Sequence, residues 1–224
     1  MRLVLPWLAA AALAGPATAQ VVTLDEGSFT LFVNGSRVGH EQFTIQRQQG
    51  RGSVTILAYA NISIDDRRLV PSLTADTTGM PVKYKLEESA ADAVVHRVEA
   101  ISTGTLFTLT AMTPHGRSER DLRLARGSIV LDDDVVHQYY FVGRRDPGPL
   151  RALAPRRLAY EQLAVVYVDG RDVEIGNGTL PSRHLTVTSA DGVVTDLWVD
   201  AAGRVLRVAT PSRGFVAIRD EPPR

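Results

Sequence analysis

Residues 80–88, MPVKYKLEE, place Val82, Tyr84 and Leu86 on one side of the chain and Lys83, Lys85 and Glu87 on the other. Side chains of a β-strand point alternately to opposite faces, so this period of two is the pattern of a half-buried strand and not of a helix, which would need apolar residues every three to four positions. The same period recurs along most of the chain. It is interrupted at short intervals by turn-forming groups: VNGS at 33–36, DTTGMP at 76–81, VDGRD at 168–172, SADG at 189–192, DAAG at 200–203 and PSRG at 211–214. Asn-Gly between two alternating runs is a strong hairpin signal. Strands joined by tight turns, with no helix between them, can only pair antiparallel with their sequence neighbours. The fold predicted is therefore all-β: a strongly curved antiparallel meander forming an open or half-closed barrel. Strands are expected near 28–33, 37–47, 53–63, 68–77, 81–88, 93–101, 105–113, 117–124, 160–169, 183–189, 193–199, 204–210 and 215–219.

One region breaks the period. In LDDDVVHQYYFVGRR, residues 131–145, Val135, Val136, Tyr139, Tyr140 and Gly143 recur at helical spacing, with aspartates before them and arginines after. Acid at the start and base at the end suit a helix dipole. This predicts a short helix over 134–143 with Asp134 as its N-cap, packed at the concave face of the sheet. The following DPGPLRALAPRR, 146–157, holds three prolines and reads as a loop.

The N-terminus has the form of a secretory signal peptide: Arg2, an apolar run from 3 to 14, and Ala17-Thr18-Ala19 before Gln20. Cleavage after Ala19 is expected, leaving 20–224 as a single barrel-like domain. No later segment reaches the length of about 20 apolar residues that a membrane helix needs. A lipid-facing barrel would need aromatic girdles, whereas Trp198, six Tyr and six Phe are all the aromatics beyond residue 19. The chain lacks cysteine, so neither disulfides nor a thiol-linked lipid anchor is available. Many Arg, few Lys and abundant Ala suggest a bacterial source, and the periplasm is the expected compartment. The formal net charge is zero over the whole chain, and −1 once Arg2 is removed. Nucleic acid, which demands a basic face, is not an expected partner.

Candidate catalytic and metal groups read as structural. Asp196 and Asp200 flank Trp198, and residues four apart in a strand are about 13 Å apart, too far for a pair of carboxylates acting on one bond. Counting back from the 200–203 turn sets Asp196 opposite Arg207, as an ion pair. Asp200 belongs to the turn, where Gly203 supplies a positive φ. His40 and Glu41 are adjacent and must face opposite ways. His96 is expected to point inward as a hydrogen-bonded core residue. Asp133 and His137 have a metal-like spacing but no third ligand, and zinc normally takes three or four. No nucleophile motif or phosphate loop is present. No catalytic residue, metal or cofactor is assigned, and the protein is expected to be non-enzymatic.

The helical interruption remains. Tyr139, Tyr140 and Phe141 are followed by Arg144, Arg145, Arg151, Arg156 and Arg157. Aromatics over a cavity with arginines at its rim would suit an amphiphile with an anionic head. Tyr139, Tyr140, Phe141 and Trp198 are the expected apolar contacts, and Arg144 and Arg145 the anion contacts. The segments FTLFVNGSRVGHEQFTI, LVPSLTADTTGMPVKYKLE and TDLWVDAAGRVLRVATPSRGFVAIRDE resemble exported bacterial proteins of unknown function and, more remotely, the lipoprotein-carrier (LolA-like) superfamily of unclosed β-barrels. That resemblance implies a curved sheet with helical material in its concavity and no catalytic residues. The expected role is binding a hydrophobic or amphipathic envelope molecule such as a lipid. The alternative is docking of an envelope protein through an exposed strand edge or the arginine-rich loop 144–157.

Overall fold

The structure is a computed structural model and describes residues 20–50, 52–91 and 93–224. The leader expected over 1–19 lies outside the described residues. Eight strands come first: β1 (Gln20–Val33), β2 (Ser36–Gln49), β3 (Val54–Ile64), β4 (Arg67–Asp76), β5 (Pro81–Ala90), β6 (Ala93–Thr103), β7 (Leu106–Thr113) and β8 (Gly116–Arg123). Then follow β9 (Ile129–Val130), a 3-10 turn (Val136–Tyr139) running directly into α1 (Tyr140–Gly143), and β10 (Gly148–Ala154). The chain ends with β11 (Ala159–Ile175), β12 (Gly178–Ser189), β13 (Val194–Val199), β14 (Val205–Thr210) and β15 (Phe215–Arg219).

All fifteen strands form one sheet, in the order β8-β7-β6-β5-β4-β3-β2-β1-β15-β14-β13-β12-β11-β10-β9. The chain thus enters at the middle, where β1 pairs with β2 on one side and β15 on the other. Two meanders grow outward from that seam. A buried ion pair marks it: Arg219 donates to both Asp25 oxygens, at 2.7 and 3.1 Å. The sheet curls without closing, and β8 and β9 remain its two edges. Arg120 links the arms by donating to the Leu158 carbonyl at 3.0 Å.

Alternation explains the core. Phe29, Leu31, Phe43, Ile45, Leu73, Tyr84, Leu86 and Leu197 all point to the concave side and are buried. Phe29 and Phe43 stack at 5.1 Å. The helix lies in this concavity as the sequence suggests, but its cap differs. Asp134 adopts φ 62 and precedes the cap position, Val135. Glu41 of β2, fully buried, reaches across instead and accepts from the Val136 and His137 backbone N–H groups at 2.7 and 2.8 Å. A strand side chain supplies what a local aspartate was expected to supply.

Two further expectations are corrected. The proline-rich stretch 146–157 is not a loop, because β10 occupies most of it and pairs with β11. Proline is tolerated where one side of a strand lacks a partner, and β10 meets β9 only at Ala152 and Leu153, well past Pro149. The β13–β14 register also differs from the simple count. Leu206 is an extra residue, so Trp198 faces Arg207 and Asp196 faces Ala209. The bulge moves every residue beyond it by one place, and the turn adds another by closing between Asp200 and Arg204, so that Val199 faces Val205; the expected Asp196–Arg207 pair does not form. The turn itself is as expected: Gly203 has φ +81, and the Asp200 carboxylate accepts from the Ala202 and Arg204 N–H groups at 2.9 and 2.8 Å.

A second bulge, at Val168 of β11, turns that strand over. Leu163 and Val165 before it face the concave core, while Val173 and Ile175 after it join a separate outer cluster with Trp198, Leu206 and Ala209.

Candidate functional site

The segment leading into the helix forms one wall of a cleft at one mouth of the curled sheet. The opposite wall is made by the ends of β11, β12 and β13, with the β14–β15 turn beside it. The cleft holds about 200 Å³. Val136, Leu163, Val187 and Phe215 give it an apolar lining, and Asp133, Arg157, Glu161, Asp191 and Arg213 surround the opening. Alternation places Leu163 and Val187, which face the concave side and are buried, whereas Asp133, Arg157, Asp191 and Arg213 come from the connections between strands.

At its floor Thr195 and Thr210, both buried and on adjacent strands, share a hydrogen bond of 2.9 Å. Tyr139 completes the group, and burial pushes its phenol up to about 12, against the opposing pull of the Thr195 hydroxyl. The rim charges are mutually engaged. Arg157 contacts Asp133 at 3.2 Å and Glu161 at 2.5 Å, and Arg213 contacts Asp133 at 3.4 Å.

Behind this wall lies a buried polar network. Asp132 accepts from the Tyr84 hydroxyl at 3.0 Å and from the Arg156 N–H at 3.3 Å, and its own N–H donates to Gln138 at 2.6 Å. Burial raises the Asp132 carboxyl to about 6, against the opposing pull of Arg156 and Tyr84. Burial likewise pushes the Tyr84 phenol well above its ordinary range. Arg156 extends the network to Glu88 and Asp134, at 3.7 and 3.6 Å. His96 sits at its margin, half-buried, 4.0 Å from Glu88, and burial lowers its imidazole below the usual value.

The six residues singled out in the sequence fall in four places. Tyr139 is in the cleft. Tyr140 and Phe141 are buried edge to face, 5.6 Å apart, and fill the interior. Arg144 donates to the Tyr140 hydroxyl at 2.7 Å and Arg145 to the Thr78 carbonyl at 2.9 Å, at the far end of the helix from the cleft. Trp198 is on the outer face, stacked on His184 at 4.6 Å with the Arg207 guanidinium 5.0 Å from its ring. Both His184 nitrogens meet carboxylates, Nδ1 with Asp169 at 3.2 Å and Nε2 with Asp196 at 2.8 Å. Asp196 therefore serves His184, and Asp200 serves its own turn and Arg204.

His40 is exposed and Glu41 buried, as opposite strand faces require. Asp133 and His137 part company: the first meets Arg157 and the second Glu41. Glu41 is the residue that sequence reasoning undervalued. Its signal was there, since Glu41 shares a face with Phe43 and Ile45, and an acid on the apolar side of an alternating strand needs a partner. Thr195 and Thr210 offered no such signal.

With this geometry in hand, the shape can be set against solved structures. A β-barrel-like protein of a domain of unknown function, DUF1849, from Brucella abortus superimposes with a TM-score of 0.53 at 10% sequence identity, covering 90% of this chain and 96% of that one. The chain shares that unclosed, barrel-like fold. A protein with a YmcC-like fold from Bacteroides fragilis aligns over 88% of this chain and 94% of its own, with a TM-score of 0.31 at 8% identity. No family model matches the sequence, and no curated protein matches it. Among the described residues, no helix is long and apolar enough to cross a membrane.

Proposed function

We propose that the protein is a non-enzymatic binder of an amphipathic molecule of the bacterial envelope, acting in the periplasm as one domain over 20–224. The observation that carries this reading is the cleft: walls in which apolar side chains alternate with polar ones, a hydroxyl floor and a charged rim at the mouth of the curled sheet. Binding sites for small molecules combine apolar lining with a few placed polar groups in this way. A volume of about 200 Å³ is below the roughly 300–1,000 Å³ of sites that enclose a whole small molecule, so it suits part of a ligand, an acyl segment or a ring, with the polar remainder at the rim. The resemblance of the sequence to LolA-like carriers supports the same reading.

The test is titration of the 20–224 chain with a fluorescent amphiphile such as N-phenyl-naphthylamine. The Ser189→Phe variant, whose added ring fills the cleft, is titrated alongside. Saturable binding that S189F abolishes supports the reading. Absence of binding to the wild type, or equal binding by S189F, ends it.

A second reading rests on β8, an edge strand with seven of its eight residues exposed. Its free backbone groups could add a strand from a partner protein. The charges on Arg117, Glu119, Arg120, Asp121 and Arg123 oppose indiscriminate pairing, so this reading calls for a partner with matching charges. Cross-linking from position 119 in envelope extract separates the two readings.

A further inference from the structure

The C-terminal end of the helix carries a concentration of positive charge that, among the described residues, no carboxylate meets in an ion pair. Arg144 and Arg145 border an open depression of about 350 Å³, together with Asp146, Pro149, Leu150 and Val165. Arg183 joins them by donating to the Gly143 carbonyl at 2.8 Å. The contacts of the three guanidiniums are to uncharged oxygens: the Tyr140 hydroxyl, the Thr78 carbonyl and the Gly143 carbonyl. Among the described residues, none of the three has a carboxylate at ion-pair distance. Two acids are near. Asp146 lines the same depression without contacting either arginine. Asp76 faces Arg145, but its Oδ1 is taken up by Thr78 and by the Met80 N–H, at 2.7 to 3.0 Å.

The exposed carbonyls of a helix end carry only about half an elementary negative charge, which three guanidiniums exceed several times over. Arg145 is also half-buried, and burial works against its charge. It has little freedom to swing into solvent, because Gly79 and Gly127 lie against its guanidinium and Cβ atoms there would approach it to 3.6 and 3.1 Å.

We infer that the Arg144–Arg145 depression binds a phosphate-like oxyanion. Guanidinium forks match tetrahedral oxyanions with paired N–H donors, and each arginine has spent only one of its five. Leu150 and Val165 border the same space, so the anion's carrier can be a lipid with a phosphate head as well as free phosphate. This site rests on its own observations and stands at the opposite end of the helix from the cleft.

The experiment is titration of the 20–224 chain with inorganic phosphate and, separately, decyl phosphate, followed by backbone amide NMR. Saturable shifts are expected at 144–150 and at Val165. The Arg144→Gln/Arg145→Gln double variant should bind about tenfold or more weakly. S189F, altered in the cleft, should bind phosphate like the wild type, so failure of the cleft reading leaves this result intact. If the double variant does not fold, Arg145→Lys, which retains charge but loses the fork, should still weaken binding several-fold. Decyl phosphate binding much more tightly than phosphate assigns the site to a lipid head group; equal affinities assign it to the free anion. Either supports the inference. No saturable shift at millimolar phosphate, shifts confined to other regions, or unchanged affinity in the arginine variants overturns it.

Discussion

Glu41 and His137, 96 residues apart in sequence, meet at 2.6 Å between Oε1 and Nδ1, with both side chains fully buried. Since Glu41 also accepts from the Val136 and His137 N–H groups, one carboxylate joins the floor of the sheet to the start of the helix. Removing it leaves three buried donors without an acceptor. Glu41→Ala is therefore expected to cost about 3 kcal/mol or more. Glu41→Gln, which keeps one acceptor oxygen, should cost less. Urea unfolding measures both, and an alanine variant within about 1 kcal/mol of wild type, the worth of a single neutral hydrogen bond, would contradict the role.

Asp132 makes a prediction of unusual sign. Burial is the largest influence on its carboxyl and raises it to about 6, above the ordinary value near 4. The folded protein then holds a proton there more tightly than the unfolded chain does. Stability from this group is full below about pH 4 and declines as the pH rises toward 6. A shift of roughly two units corresponds to about 3 kcal/mol. Asp25, also raised chiefly by burial despite Arg219, contributes in the same direction. Comparing wild type with Asp132→Asn isolates Asp132: the difference in unfolding free energy between about pH 3.5 and about pH 7.5 should shrink in D132N. Parallel pH profiles for the two proteins would refute the assignment.

What the sequence discloses and what it hides divide along a physical line. Strands such as β5, with Tyr84 and Leu86 inward and Lys83 and Lys85 outward, are written in local alternation, and so are the Asn34-Gly35 and Asp200–Gly203 turns. The bulges at Val168 and Leu206 are not, because an extra apolar residue in an apolar run leaves no local mark while reversing faces or shifting register beyond it. The Val168 bulge is why Asp169, and not Val168, stands opposite His184. Strand β10 escaped notice for a different reason: its prolines signal a break, and only its place beside a two-residue strand makes them tolerable. The cleft depends on pairing over long sequence distances, with Tyr139 brought to Thr195 and Thr210, and no local pattern encodes such a meeting.

Gly143 and Gly203 make a steric prediction. A Cβ on Gly203 would fall 2.8 Å from the Gly143 carbonyl oxygen and 2.7 Å from Arg144 Cγ, and one on Gly143 would fall 2.7 Å from the Gly203 oxygen. The helix end and the β13–β14 turn are in backbone contact, so neither can yield cheaply. Gly35, at φ +80, has open space where its Cβ would be. Gly35→Ala should therefore cost only the left-handed backbone penalty, about 1–2 kcal/mol. Gly203→Ala, with the same penalty plus the clash, should cost clearly more. Thermal unfolding of the two variants gives the comparison, and equal losses would mean that the two backbones are not packed as described.

Trp198 is the sole tryptophan beyond residue 19, which makes its stack with His184 directly observable. The rings lie 4.6 Å apart and within 4° of parallel. The two ring nitrogens of His184 meet Asp169 and Asp196 at 3.2 and 2.8 Å, and these contacts hold the imidazole flat on the indole. His184→Gln removes the ring and with it a stacking contribution of roughly 0.5–1.5 kcal/mol. H184Q should therefore melt at a lower temperature than the wild type, and its tryptophan emission should move to longer wavelength as water reaches the uncovered indole face. The Arg207 guanidinium, 5.0 Å from the ring, remains in the variant. An unchanged melting temperature with an unmoved emission maximum in H184Q would show that the imidazole does not cover the indole.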